Sequence, residues 1–290
     1  MDRSHRPLVS VILPFYNGGP AFVEAVRSIQ CQTYRNWELL LCDDGSTDGS
    51  RELAVAIADP RIQVWSDGDR KGLASRLNEC IDRARGEVIA RMDADDISYP
   101  GRLERQVAFL ADHPEIDVVG CRMLIFGEDG EPLGKRMAPL EHERIVAHPS
   151  LGFGLAHPTW MARAEWYRRY RYNPNAIRYE DIELLYRAYP TSRFANLPDL
   201  LYGYREIKGG FQKRLKTRWG RIRYLQAQHQ KLGIRLLAQA AVAEALKVAT
   251  DAALALTGAR YTMLRMREAR LTDQDLRTWS QVLAAGGEHA

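Results

Sequence analysis

Strand-like apolar runs alternate with segments of helical period through the first 125 residues, and this restricts the fold more than any other feature of the chain. Leu8–Leu13 is a β-branched run ended by Pro14, and Pro20–Gln30 follows with Phe22, Val23, Val26 and Ile29 at helical spacing. Glu38–Cys42 is a second strand, ended by Asp43-Asp44-Gly45-Ser46, after which Thr47-Asp48 can cap a helix running to about Ala58. A strand over Ile62–Trp65, a helix over Gly72–Arg85, a strand over Gly86–Met92, a helix over Gly101–Asp112 and a strand over Val118–Cys121 continue the series. Repeated β-α units of this length imply an α/β, Rossmann-like, mostly parallel sheet with helices on both faces. Such sheets bind ligands outside the carboxyl ends of their strands. Pro14–Asn17, Asp43–Ser46 and Asp93–Asp96 all stand at such ends and are expected to meet in one crevice.

The sharpest of these ends is Ala90-Arg91-Met92-Asp93-Ala94-Asp95-Asp96, three carboxylates within four residues directly after an apolar run. Carboxylates gathered at a strand end repel one another unless a cation sits among them, and hard divalent ions such as Mg²⁺ or Mn²⁺ prefer oxygen ligands. An acidic loop capping the next helix is the plainer alternative.

With 290 residues, 46% hydrophobic and 27% charged, the chain can bury a sizeable core. No apolar run reaches the roughly 18 residues of a membrane span, and Met1–Arg6 leads into a strand without an apolar leader. A cytoplasmic protein is expected. Cys31, Cys42, Cys80 and Cys121 form no Cys-x-x-Cys pair and read as reduced core residues.

Beyond Phe126 the pattern changes. Glu128–Glu131 is a turn between short strands, Gly152–Met161 a loop leading into a strand, Tyr179–Tyr189 a helix and Phe194–Tyr204 a strand. From about Leu215 the chain is mostly helical, with a last helix over Thr272–Leu283 and a tail over Ala284–Ala290. Net charge is only +4, yet Arg205 to Arg223 holds eight Lys/Arg against one acid, Glu206. Such a run is a solvated face or a surface for phosphates of a nucleotide, a lipid carrier or a membrane. No nucleic-acid module accompanies it. Over Ile234–Leu256 the small and apolar residues fall on one side of a helical wheel, a face for packing on the domain, for a second copy in a homodimer, or for peripheral docking on a membrane interface.

Taken in order, Val9-Ser10-Val11-Ile12-Leu13-Pro14-Phe15-Tyr16-Asn17, Gln32-Thr33-Tyr34, Trp37-Glu38, Asp43–Ser50, Asp93-Ala94-Asp95-Asp96 and Glu180-Asp181 resemble the family 2 glycosyltransferases. These are inverting enzymes of the glycosyltransferase A fold that use nucleotide-diphosphate sugars. The resemblance spans roughly residues 7–205, and the ordered set is far more specific than any one motif. It implies a nucleotide-sugar-binding catalytic domain over 1–212 and a helical extension over 213–290.

The resemblance also implies roles. Pro14, Tyr16 and Asn17 would meet the nucleotide, with Tyr16 stacked on the base. Asp44 would accept the imide hydrogen of uracil, favouring uridine or thymidine nucleotides, and Arg70 could reach the same ligand or remain a solvated loop charge. Asp95 would ligate Mn²⁺ or Mg²⁺ directly, with Asp93 on the metal, its bound water or the ribose, and Asp96 behind them or toward the acceptor. Such a metal would stabilise charge on the departing diphosphate. Asp181 would be the general base that takes the acceptor hydroxyl proton; a helix start favoured by the dipole is its plainer reading. Glu180 would orient the sugar or Asp181, and Glu183 makes a poorer base. His157, in His157-Pro158-Thr159, would line the acceptor side, and Arg205 or Lys208 could neutralise the leaving pyrophosphate. The chain departs from many relatives after Arg205, where it reads Glu206-Ile207-Lys208-Gly209-Gly210. A Gln-x-x-Arg-Trp motif is also missing, because Leu215 stands three residues before Arg218-Trp219. Transfer of one sugar is therefore expected, from a nucleotide-diphosphate sugar to a glycan or lipid-linked saccharide of a surface polysaccharide or lipopolysaccharide.

Three rivals are weaker. A sugar-nucleotide pyrophosphorylase needs a glycine-rich loop with Arg and Lys where Pro14–Gly19 stands, and no Gly-x-Gly-x-x-Gly supports a dinucleotide oxidoreductase. An inactive family member serving as nucleotide-binding or scaffold subunit is opposed by the two intact carboxylate sets.

Overall fold

A computed structural model describes residues 6–149, 152–206, 218–220, 222, 238–239, 241–250, 252–253 and 269–287. Its centre is a nine-stranded sheet in the order β3-β2-β1-β4-β8-β6-β9-β5, with β7 paired to β6. The strands are β1 (Val9–Phe15), β2 (Trp37–Asp43), β3 (Ile62–Trp65), β4 (Val88–Arg91), β5 (Ile97–Ser98), β6 (Val118–Phe126), β7 (Pro132–Arg136), β8 (Met161–Arg163) and β9 (Phe194–Arg205). β1, β2, β3 and β4 run parallel, as do β6 and β9, while β5, β7 and β8 run against their neighbours. The expected mostly parallel α/β sheet is thus present, with antiparallel pieces in its second half.

Every residue of β1 and β2 is buried, as a strand covered by helices on both faces requires. The helices are α1 (Gly19–Gln30), α2 (Ser50–Val55), α3 (Leu73–Arg83), α4 (Arg102–Asp112), α5 (His142–Ile145), α6 (Ala164–Arg169) and α7 (Glu180–Ala188). One core contains Val11, Leu13, Phe22, Ile29 and Leu39; another, on the opposite side of the sheet, contains Ile12, Leu40, Leu77, Ile81 and Trp160.

Several boundaries move from the sequence expectation. β6 continues to Phe126 because β7 and β9 flank its second half. α2 is short: Gly49, at φ 85°, precedes it, and Asp48 is occupied with the N–H groups of Ser50 and Gly19. Inside the expected Gly152–Met161 loop, His157–Thr159 forms a 3-10 turn, and α6 follows β8 without a break.

The C-terminal helix (Asp273–Gly287) packs on the sheet. Its Trp279 is 2% exposed and lies against Tyr99 and Phe126, its indole N–H donating to the Gly130 carbonyl (3.1 Å). A Cβ at position 203 would stand 2.7 Å from the Trp279 ring, so glycine is needed for this approach. Lys135–Asp275 (2.6 Å) closes the contact. The helix runs on through Ala284–Gly287, where a tail was expected. Residues 241–250 are also helical. There Glu244 is buried and paired with Arg218 and Lys247, while Val242 and Leu246 are 60% and 65% exposed. The basic stretch 207–217 and, of the expected amphipathic segment, residues 234–237, 240, 251 and 254–256 lie outside the described residues. Among the described residues no helix is long and apolar enough to cross a membrane. Cys42, Cys80 and Cys121 are buried and Cys31 half-buried, all as free thiols.

Candidate active site

The parallel register brings three strand ends to one level. Phe15 of β1 pairs with Asp43 of β2, and Ile12 pairs with Arg91 of β4, so Tyr16, Asp44 and Asp93 emerge side by side. The β1 and β2 ends are laced together. Asn17, in the left-handed region at φ 49°, donates its N–H to Ser46 Oγ (3.0 Å) and accepts the Thr47 N–H at Oδ1 (2.8 Å). Asparagine tolerates that conformation because its short side chain bonds locally.

A cavity of about 490 Å³ opens beside these loops, lined among others by Pro14, Tyr16, Asp44, Arg70, Arg178 and Glu180. Tyr16 is 37% exposed, and the Arg70 guanidinium stacks 3.9 Å from its ring centre. Asp44 is nearly buried and accepts the N–H groups of Lys71 (2.7 Å) and Gly72 (3.0 Å). Arg76, on the first turns of α3, is fully buried and bonds Asp44 (3.0 Å), Asp67 (2.6 Å) and Glu79 (2.9 Å). Those carboxylates hold its guanidinium charged. Asp44 is therefore an aimed acceptor, fixed from behind by one cation and two amides.

The acidic cluster follows β4. Oxygens of Asp93, Asp95 and Asp96 lie within 4.8 Å of one another. Burial and the neighbouring Asp93 push the Asp95 carboxyl up to about 6, and burial with both neighbours raises Asp96 well above its usual range. Asp96 is 1% exposed; Oδ1 accepts the Arg205 N–H (2.8 Å), whereas Oδ2 has no partner. Asp93 pairs with Arg91 and takes its backbone register from Tyr202, whose hydroxyl accepts the Asp93 N–H (3.2 Å). An all-oxygen set that is mutually repelling, desolvated and partly unpartnered fits a hard divalent cation.

A second cavity, of about 640 Å³, lies beyond, and Leu73, Arg178 and Glu180 line both. Its wall includes Arg91, Asp93, His157, Glu180 and Asp181. α7 begins at Glu180 and carries Glu180, Asp181 and Glu183 in its first turn, where the dipole favours anions. Glu180 is 8% exposed, and burial plus the adjacent Asp181 push its carboxyl up to about 7. Glu183 is buried and bound to Arg187 (2.7 Å), which removes it from the cavity. Arg178 stands at φ 71°, a conformation that costs a non-glycine residue free energy and clusters at functional sites. His157 shares a 2.7 Å hydrogen bond with Tyr172, and burial together with Arg91 keeps its imidazole neutral.

The predicted residues thus divide. Pro14, Tyr16, Asp44 and Arg70 line the first cavity, Glu180 both, and Asp93, His157 and Asp181 the second. Asn17 serves the loop clasp. Arg205 lines neither: its guanidinium bonds the Asp95 carbonyl (2.7 Å) and Glu24 and lies over Phe126, so it tethers the acidic loop. Lys208 lies outside the described residues. Sequence reasoning missed Arg76, Arg91 and Arg102. Arg102, fully buried, donates to the Arg91 carbonyl (2.7 Å) and the Pro158 carbonyl (3.2 Å), joining the end of β4 to the His157 turn.

The model of the family "Glycosyl transferase family 2" matches residues 10–173, and the chain belongs to that family. It is a glycosyltransferase of the glycosyltransferase A fold. The glycosyltransferase-named EpsE of Bacillus subtilis is 41% identical over 218 residues, 73% of this chain and 77% of that protein. The Escherichia coli UDP-Glc:alpha-D-GlcNAc-diphosphoundecaprenol beta-1,3-glucosyltransferase WfgD is 39% identical over 147 residues, 50% of this chain and 57% of that protein. Staphylococcus aureus TarS 1–349 with UDP-GlcNAc superposes with a TM-score of 0.58 at 19% identity, covering 96% of this chain and 80% of that one. The Pyrobaculum calidifontis mannosyltransferase PcManGT, with GDP-Man and Mn²⁺, does so at 0.58 and 21%, covering 98% and 87%.

Proposed function

We propose that the protein transfers one sugar, with inversion, from a uridine- or thymidine-diphosphate donor to a hydroxyl of a glycan or lipid-linked saccharide during surface polysaccharide assembly. The observation that carries this reading is the meeting of two cavities at Glu180, with Tyr16 and Asp44 lining one and Asp181 lining the other together with Asp93 of the acidic cluster. Tyr16 offers the base a stacking face, and Asp44, anchored by Arg76, keeps an acceptor toward the imide N–H of uracil. The UDP-Glc in the name of WfgD and the UDP-GlcNAc in TarS favour uridine; GDP-Man in PcManGT shows that relatives of this fold also take guanosine. The diphosphoundecaprenol in the WfgD name supports a lipid-linked acceptor.

Asp95 and Asp93 would hold Mn²⁺ or Mg²⁺, and the bound ion would supply Lewis-acid stabilisation of the departing diphosphate. The chain's own groups perform the rest. Asp181 takes the proton as the acceptor oxygen attacks the anomeric carbon from the face away from the diphosphate, whose bond to that carbon breaks. Glu180, desolvated between the cavities, orients the sugar and Asp181. His157, held neutral by burial and Arg91, lines the acceptor side without adding charge.

Segment 213–290 is read as an extension of the catalytic domain 1–212. Its 241–250 helix turns Val242 and Leu246 outward, and a basic run, Arg205 to Arg223, precedes it in the sequence, which supports docking on an anionic membrane surface. Val242→Ser with Leu246→Ser should reduce binding to phosphatidylglycerol vesicles; unchanged binding, or conversion of a dimer to monomer, would reject the membrane role.

The function is tested by thermal stabilisation with nucleoside diphosphates and their sugars, with and without Mn²⁺. A ligand at a hundredfold excess over Kd adds about 2.7 kcal/mol. A Mn²⁺-dependent shift with UDP or dTDP is the expected result, and no shift with any nucleotide would turn the reading toward an inactive scaffold.

A further inference from the structure

Leu73, Arg178 and Glu180 line both cavities, so a ligand reaching from Asp44 to Asp181 passes all three, and Arg178 is the cation among them. Its backbone is held on both sides. The Ala176 N–H donates to the Asn173 carbonyl (3.0 Å), the Tyr179 N–H to the Ala176 carbonyl (3.3 Å), and the Tyr179 carbonyl accepts the Glu183 N–H (2.9 Å) in the first turn of α7. Between these bonds Arg178 stands at φ 71°. Glycine would adopt that conformation without a Cβ clash, so an arginine there gives up backbone free energy to keep its side chain in place. The next residue, Tyr179, serves packing: its ring lies so near Gly220 that a Cβ at position 220 would stand 3.0 Å from it.

The other cations of the first cavity are engaged. Arg70 lies over the Tyr16 ring, Lys71 pairs with Asp67 and Glu79, and Arg76 is buried among Asp44, Asp67 and Glu79. Arg205, at the acidic loop, is bound by Glu24 and the Asp95 carbonyl. Arg178 is exposed, and among the described residues its guanidinium makes no hydrogen bond or ion pair. On the glycosyltransfer reading, which this inference rests on, the nucleoside occupies the Tyr16–Asp44 side and the sugar the Asp181 side, so the diphosphate between them crosses the wall that the cavities share. We propose that Arg178 binds this diphosphate, its planar fork of N–H groups donating to phosphate oxygens. When the bond from the anomeric carbon to the diphosphate oxygen breaks, its electron pair stays on that oxygen, and the guanidinium meets the added charge with short, charge-assisted bonds. Arg178 thus takes the place at the leaving group from which Arg205 is withheld.

The test compares Arg178→Gly and Arg178→Gln with wild type, measuring Kd for UDP by calorimetry and for uridine by NMR titration, both with Mn²⁺. Glycine accepts φ 71° freely, so Arg178→Gly should melt close to wild type, and a loss of binding in it is not a loss of fold. Glutamine keeps a polar side chain without the charge and remains informative if the glycine variant is destabilised. The expected result in both variants is a UDP Kd raised at least tenfold, about 1.4 kcal/mol, with the uridine Kd within twofold of wild type. A wild-type Kd for UDP in either folded variant would overturn the proposal and leave Arg178 as a solvated charge on the rim. An equal loss for UDP and uridine would also overturn it, assigning the effect to the wall that holds the base. A wild-type protein that binds neither ligand would instead sink the glycosyltransfer reading.

Discussion

The two carboxylate groups of the site stand in different backbone surroundings. Asp93, Asp95 and Asp96 follow a strand end, and their oxygens crowd within 4.8 Å, with Asp96 Oδ1 accepting the Arg205 N–H. Glu180 and Asp181 open a helix, where N–H groups and the dipole favour a negative charge, yet burial still raises Glu180 to about 7. The first arrangement is one that a divalent ion relieves; the second is one that a proton relieves. On the proposed reading, position at a strand end or a helix start sorts these carboxylates into a metal site and a proton-transfer site.

The strongest way to break this comparison is to remove one member from each group. Asp95→Ala should lower turnover about a thousandfold or more, together with Mn²⁺-dependent nucleotide binding. Asp181→Asn should lower turnover by about the same factor through loss of the base, while UDP affinity stays within about twofold. Full activity in the Asp181 variant would refute the base assignment, and unchanged Mn²⁺ dependence in the Asp95 variant would refute the metal assignment.

A sharper comparison comes from stability without metal. Because the folded-state pKa of Glu180 is raised, its contribution is fully present below the unfolded value near 4.5 and is lost as pH climbs through about 7. The shift corresponds to about 3 kcal/mol. Glu180→Gln should therefore flatten the fall in stability between pH 5 and 8, measured by urea unfolding, and parallel curves for the two proteins would contradict the burial argument.

The smallest expected effect concerns the metal alone. With Asp95 raised to about 6 in the metal-free protein, a cation must displace a proton at low pH. Calorimetric Mn²⁺ affinity should weaken about tenfold from pH 7 to pH 5, and an affinity independent of pH over that range would show that Asp95 is not a ligand.

Much of this was legible in the sequence. The apolar runs with acidic or proline ends located β1, β2 and β4, and parallel register made their ends converge, as expected for Pro14–Asn17, Asp43–Ser46 and Asp93–Asp96. What escaped was the burial of charge. Arg76 sits at a helical position among polar neighbours, and only the fold shows that α3 turns it onto Asp44. Arg91 did carry a signal, since a charge inside a strand buried on both faces must find partners. Arg205 was expected near the pyrophosphate because Tyr202-x-Tyr204-Arg205 resembles a segment over the diphosphate in relatives; in the structure Glu24 and the Asp95 carbonyl bind its guanidinium. The antiparallel β8 and the short β5 are too brief to show a period.

The docking of the C-terminal helix has a kinetic consequence. Cys31 Sγ donates to the Ala285 carbonyl (3.3 Å) across a sequence separation of 254 residues. Closing a loop of that length costs about 5 kcal/mol in chain entropy if made first, but much less once the sheet has gathered the intervening chain. The helix should therefore be a late arrival in refolding, with Trp279 fluorescence changing after the sheet has formed its secondary structure.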